Sequence, residues 1–598
     1  MTLYDYLAIA FYAIFMLSLG KIYKRFSVTA SDFYRGGGSM LWWVVGSSSF
    51  MTTFSAWSFT GGAGKVYETG TFFLILFVAN LVALVITYFF TAARFRQMRV
   101  ITPIEGVQKR YGNLNEQIFT WLPLFFRILA GGITIYAVAI FLHGVFNIDI
   151  SIIIIGIGII ATVMTLMGGA WAATAGDFIQ MLVVLSITLL MALLSIWHPL
   201  VGGPVEFVQK IPEHHLNWSI ISRPWVIIFF IAALFINQAI QMNSMLEGAA
   251  KYIFVKNGNE AKKAVLFAVG CFLLTAPIWI IPPMAATIVY PDLSVNYPAL
   301  NNPSEAAYVA MAADLLPRGL LGVMVCAIFA ASMTSLNSWL NIIAGTFVRN
   351  FWIRKIEINA SESKQILVGR VCILIYGLFW IITALIIKDI ENLKLFDLVM
   401  IAAASIGIPA AVPLFLGIFI KRTPSWSAWS TLVIGSLVAI ALRLILKDEF
   451  IQSIFDVAKS FNSQELADIN IAMTAIVLST TCIFWYFFTM IFYNEKNRRY
   501  TKKVSDFFDE INKEIRSADS ALEIITEKKS DFKQAITLSK LCLYYGFFIQ
   551  LLLFVPNGIV GRASIFGCGM FLILVSFIIR RYACSNAQEI KDLKYDNL

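Results

Sequence analysis

Charge is what this sequence has least of. Only 14% of its 598 residues are Asp, Glu, Lys or Arg, where a soluble domain carries about 25%. Histidine is scarcer still: the four residues, at 143, 198, 214 and 215, form no metal-ligand spacing. The seven cysteines include no CxxC pair, and all but Cys584 sit inside apolar runs, so they read as small packing residues in a reducing setting. HExxH, P-loop, GxGxxG and nucleophile-elbow motifs are missing, which leaves no catalytic constellation and argues against an enzyme. No basic region precedes the first apolar run, Leu3 to Gly20, which contains Asp5. It is long enough to span, so it is expected to stay as a membrane helix and not to be removed as a signal peptide.

Apolar length is what the chain has in abundance. Hydrophobic residues make up 59% of it, with a mean hydropathy of +0.76. They come in runs of about 18 to 30, enough to cross a hydrocarbon core of roughly 30 Å. The fold class is therefore an all-α polytopic membrane protein, with the lipid bilayer as its constant partner. A soluble enzyme, a nucleic-acid binder and a fibrous protein are excluded. Fifteen candidate spans can be counted, thirteen between residues 3 and 493 and an appended pair at about 539–556 and 563–580. The net charge of +10 is informative through its distribution. The odd-numbered connections up to the eleventh hold 19 Lys and Arg, and the even-numbered ones up to the twelfth hold 8. The basic side is the cytoplasmic one. This predicts an integral plasma membrane protein with its N-terminus outside and its C-terminus inside. Residues 494–538 are strongly charged and read as a cytoplasmic insert. Val504, Phe507, Phe508, Ile511 and Ile515 recur there at helical spacing, as in an amphipathic helix lying on membrane or protein, or in a solvated linker.

Function in such a chain is sought where a span carries residues that lipid rejects. The second span, Trp42 to Gly64, holds eight hydroxyls from Ser47 to Thr60 and then Gly61, Gly62 and Gly64. That composition suits a break at mid-membrane whose freed carbonyls could coordinate an ion. The ninth span runs Ala331-Ser332-Met333-Thr334-Ser335-Leu336-Asn337-Ser338, with 331, 335 and 338 on one helical face. Uncharged oxygens suit a partly dehydrated monovalent cation, so sodium is expected in preference to a divalent metal. The alternative is a small-residue packing seam. Asp177 opens the sixth span with no Lys or Arg near it in sequence, and reads as an ion ligand or a helix cap. Asn237, Gln241 and Ser244 share a face of the seventh span, as solute contacts or as glue between helices. Prolines 277, 282, 283, 409 and 413 mark kinks. Arg127 lies in the fourth span nearer its basic end, away from these helices. The solute is accordingly expected to be small, polar and neutral or zwitterionic.

These motifs resemble the sodium:solute symporter family. The matching residues are Trp42-Trp43 and the Ser-rich break ending Ser55 to Gly61, the region from Gly168 to Gln180, and Ala331 to Asn341. The likeness runs from about residue 3 to 493. It implies a LeuT-type fold with two inverted five-helix repeats and alternating access. The implied layout is a leading helix and loop (1–40), a first repeat (41–197), a second repeat (222–423) and two further core helices (424–493). The charged insert (494–538) and two extra helices with a tail (539–598) complete the chain. The resemblance places a main sodium site at the backbone carbonyls of Met51 and Phe54 and the oxygens of Ala331, Thr334 and Ser335. A second sodium site would use Asp177, Thr334, Asn337 and Ser338. Solute contacts would come from Thr53, Ser55 and Ser58, opposed by Asn237 and Gln241. The implied activity is sodium-coupled import of an organic solute, with a symporter-like sensor signalling through the C-terminal extension as the alternative.

Overall fold

The computed structural model describes residues 2–595 apart from 24–35, 53, 55, 166–169, 299, 358–360, 391–393, 456–459 and 516–520. Within these residues the backbone is almost wholly helical, with an isolated β-bridge between Met40 and Val255. Eleven described helical stretches are long and apolar enough to cross a membrane, and Ile150–Val163 and Leu320–Phe329 are shorter apolar ones. Helices prevail because hydrocarbon offers no partner to a backbone N–H or C=O, so each segment must satisfy its own. Departures from helix are informative for the same reason.

The second span is broken as its composition predicts. One half is the helix Trp42–Met51. The other starts with a π-helical turn, Ser58–Gly62, and continues as Ala63–Thr69. Gly70 then reverses the chain at φ +58, where any Cβ would lie 2.4 Å from the side chain of His215. The seventh span, Pro224–Met242, ends in a non-helical turn before the short helix Ala249–Tyr252. The eleventh is interrupted by a π-helical turn, Ala403–Gly407, between Leu395–Ala402 and Ile408–Leu416. Pro277 lies inside Gly258–Trp279, and Pro282 and Pro283 open Ile281–Val289. Loop-to-helix junctions are capped where polar residues allow. Asn257 accepts from the Glu260 N–H, and Asn462 and Glu465 form a reciprocal capping box.

The charged insert begins as a helix, Arg498–Asn512, that lies against protein. Val504, Phe507 and Ile511 are buried, Lys109 Nζ is 2.6 Å from Glu510, and Phe508 lies under the Arg110 guanidinium. The rest of the insert, from Ala521, is already part of the helix Ala521–Leu551, and the last helix is Ile559–Tyr595. Both exceed the apolar lengths expected of them because their polar ends continue as a paired extension joined by Lys528 and Glu589. The pair packs on the first helix, Leu3–Tyr23, through Phe11 stacked on Phe548 and Tyr12 against Tyr545.

Candidate ion and solute site

The break in the second span is held from both sides. Thr52 turns its N–H and its hydroxyl back onto the Ser48 carbonyl, at 3.1 and 2.7 Å. Four residues on, the Ala56 N–H donates to Ser332 Oγ at 2.9 Å in a buried contact. Ser332 belongs to the helix Leu320–Thr346, and its hydroxyl donates in turn to the Ile328 carbonyl. One hydroxyl thus ties the non-helical stretch to the helix that carries the Ser/Thr motif. Met51, at the end of the first half-helix, and Phe54, on the break, are buried, and Ser58 is buried in the π-turn beyond it. Ser335 is half-buried, three residues on from Ser332. The side chains of Ala331, Thr334, Asn337 and Ser338 lie outside the described part, as do Thr53 and Ser55 entirely. The described contact thus sets the helix break against the hydroxyl-bearing helix, the two elements from which the main sodium site is expected to draw its uncharged oxygens.

Asp177 is buried in the helix Ala170–Ile196. Its Oδ2 accepts from Ser48 Oγ at 2.5 Å and lies 4.0 Å from the Lys251 ammonium. Lys251 itself donates to Ser48 Oγ at 2.8 Å. The charge that is missing near Asp177 in sequence is supplied from 74 residues away by the turn after the seventh span.

A cavity of about 380 Å³ opens beside the break. Thr52 and Trp57 line it from the broken span, Gln241 and Ser244 from the seventh, and Ala403 to Ala411 from the eleventh. Arg127 and Glu247 line it toward the end of the bundle that carries the basic connections. Arg127 therefore reaches the cavity, contrary to its expected remoteness, because the helix Asn113–Phe146 runs along the cavity wall. Trp57 Nε1 and Arg127 Nη1 have no hydrogen-bond partner among the described residues. Gln241 Nε2 donates to the Ala403 carbonyl at 3.0 Å and also to Asn237 Oδ1. Gln241 thus both faces the cavity and joins two helices, while Asn237 is buried behind it.

At the opposite end the cavity is closed. Trp57 stacks on Phe396 with centroids 6.0 Å apart, and Phe73 packs on Phe396 and Trp279. Beyond them Lys65 Nζ lies 3.8 Å from Asp468, the two side chains 3% and 0% exposed, and 5.0 Å above the Phe396 ring. Lys394 pairs with Glu68 at 2.8 Å, and Glu305 accepts from the Leu395 N–H at 2.7 Å. Burial pushes the Glu305 carboxyl up to about 8, against the pull of the Leu395 N–H and with a further push from Glu68. Sequence reasoning missed this cluster, although Asp468 and Lys65 are ionisable residues within apolar stretches and carry the same signal as Asp177.

A sequence model of the sodium:solute symporter family matches residues 33–435, more than half of the chain. The chain belongs to that family. Human sodium/myo-inositol cotransporter 2 is 25% identical over 524 residues, covering 81% of this chain and 76% of its own. The sodium/sialic acid symporter NanT of Aliivibrio fischeri is 25% identical over 435 residues, covering 71% and 84%. The solved structure of a Na⁺-coupled sialic acid symporter in a substrate-bound outward-open state superposes with a TM-score of 0.63 at 20% identity. It covers 82% of this chain and 98% of its own. The fold is accordingly the all-α LeuT type, the protein is a transporter and not an enzyme, and sodium is its coupling ion.

Proposed function

We propose that this symporter imports a small, polar, neutral or zwitterionic organic solute by alternating access, with the basic end of the bundle in the cytoplasm. The cavity carries the reading. It is lined by an acid at Glu247, a base at Arg127 and the amide of Gln241, within walls otherwise mostly apolar. A few polar and charged side chains on an apolar wall suit the hydroxyl or carboxylate oxygens of a solute. Side chains of both signs suit a zwitterion. The named solutes of the relatives, myo-inositol and sialic acid, are oxygen-rich in the same way.

In this reading the structure is the cytoplasm-facing state. The aromatic layer of Trp57, Phe73 and Phe396 and the pairs beyond it form the closed outer gate. Sodium at Met51, Phe54, Ala331, Thr334 and Ser335 would link the broken span to the helix Leu320–Thr346 and so favour the arrangement that binds solute. One Na⁺ entering down about 100 mV supplies about 2.3 kcal/mol, which is close to a 50-fold accumulation of a neutral solute. Uptake into proteoliposomes tests the reading with a solute panel spanning polyols, amino acids, acidic sugars and their neutral analogues. Sodium-driven accumulation of a neutral or zwitterionic member is expected. Accumulation confined to solutes of net negative charge would overturn the assigned class, and binding without accumulation would favour the sensor.

A further inference from the structure

The carboxylate that family resemblance assigns to a second sodium ion already has a cation in this chain. Lys251 leaves the short helix Ala249–Tyr252 and brings its ammonium to 4.0 Å from Asp177 Oδ2. Ser48 bridges the two, donating to Asp177 at 2.5 Å and accepting from Lys251 at 2.8 Å. The side chains are 20% and 4% exposed, so the cluster is largely withdrawn from water, where opposite charges must pair to be tolerated. Neighbouring contacts hold it in place: the hydroxyls of Tyr252 and Ser49 meet at 3.0 Å, and the Met40 N–H donates to the Phe254 carbonyl at 3.0 Å. A metal ion bound at Asp177 would sit next to an ammonium in low-dielectric surroundings, and like charges at that separation repel strongly. The groups around Asp177 therefore do not fit a second sodium.

We propose that Lys251 is a tethered cation for Asp177, holding the place of a second sodium ion, so that one sodium enters per solute. The inference rests on the sodium coupling of the family and adds the stoichiometry and the residue that sets it. Lys251 is a positioning residue for charge: among the described residues it does not line the solute cavity, and its polar partners are Ser48 and Asp177. It also couples two moving parts, since Ser48 belongs to the first half of the broken span and Lys251 to the turn after the seventh.

The test compares radioactive sodium flux with solute flux in proteoliposomes. Equilibrium sodium binding to the purified protein without solute is measured in parallel. The wild-type protein is expected to move and bind one sodium per solute. Lys251→Gln removes the tethered charge and should admit a second ion, doubling the flux ratio and making the sodium dependence cooperative. Lys251→Arg keeps the charge and should stay at one. The double variant K251Q/D177N removes both charges and should return to one, which separates an ion effect from a folding defect. A wild-type ratio of two, or a ratio of one in functional Lys251→Gln, overturns the proposal while leaving sodium coupling intact. Complete absence of sodium-driven flux in the wild type would remove the coupling itself.

Discussion

At the scale of single residues, the ion site makes the sharpest demand. Ser335→Ala removes one hydroxyl oxygen with little change of volume and no loss of helix propensity. If that oxygen binds sodium, its loss is worth on the order of 1–3 kcal/mol, or a roughly 5- to 150-fold weaker apparent sodium affinity. Membrane levels should be unchanged, and uptake that saturates at wild-type sodium would exclude Ser335 as a ligand. Gly407 makes a second demand, from the solute side. A Cβ there would come within 2.5 Å of Gln241 Oε1, so Gly407→Ala must displace the amide from the cavity wall. The half-saturating solute concentration should rise several-fold while the sodium dependence holds, since neither residue belongs to the ion site. A shift in sodium affinity alone would instead mark the seventh span as part of the ion path. Ser335 and Gln241 were legible because hydroxyls and amides stand out in an apolar run. Lys251 was not legible, because it sits among other cations in a connection where sequence gives a lysine no address.

Between elements, the closed end is held by charges that the bundle brings together from four stretches of chain. Removing one member of a buried pair leaves the other uncompensated, at a cost of about 3–5 kcal/mol. Asp468→Asn should therefore destabilise this state through Lys65 and favour opening at that end. The check is the reactivity of a single cysteine placed at Ala402, in the cavity wall, toward an impermeant reagent from outside, which should rise many-fold over the same cysteine in the parent background. Unchanged reactivity would mean that the aromatic layer alone makes the seal. Glu305 adds a pH dependence of definite sign. Its carboxyl is raised from an ordinary 4.5 to about 8 by burial. Between these values the folded protein holds a proton that the unfolded chain has released, so stability falls as pH rises through that window. Thermal unfolding in detergent from about pH 5 to pH 8 should show a decline that Glu305→Gln flattens, and parallel curves would show that Glu305 does not titrate in that window. The breaks of these elements could be read from Gly, Pro and Ser content. Their pairing could not, because Lys65 and Asp468 are 403 residues apart and only the three-dimensional packing makes them neighbours.

For the whole molecule, the appended helices are more than a second anchor in lipid. Gln534 of the helix Ala521–Leu551 clamps the chain entering the broken span: its Oε1 accepts from the Leu41 N–H at 3.2 Å and its Nε2 donates to the Ser39 carbonyl at 2.9 Å. Lys256, beside the bridge at Val255, pairs with Asp531 one turn earlier at 2.7 Å. Both contacts hold segments next to the Trp42–Met51 helix, which the proposed alternating access requires to move. Two neutral hydrogen bonds are worth about 0.5–1.5 kcal/mol each, enough to shift a conformational equilibrium about 5- to 150-fold, yet neither touches the cavity or the ion site. Gln534→Ala should therefore shift the balance between states, changing the maximal uptake rate and moving the half-saturating concentrations of sodium and solute by up to the same factor, since only the competent fraction binds. Deleting residues 521–598 should have the same signature, larger and with lower thermal stability, since Phe11 and Tyr12 lose their aromatic partners. Both variants matching the wild-type rate would make the extension a passive anchor. Loss of transport in the deletion with solute binding intact would make these helices part of the transport cycle.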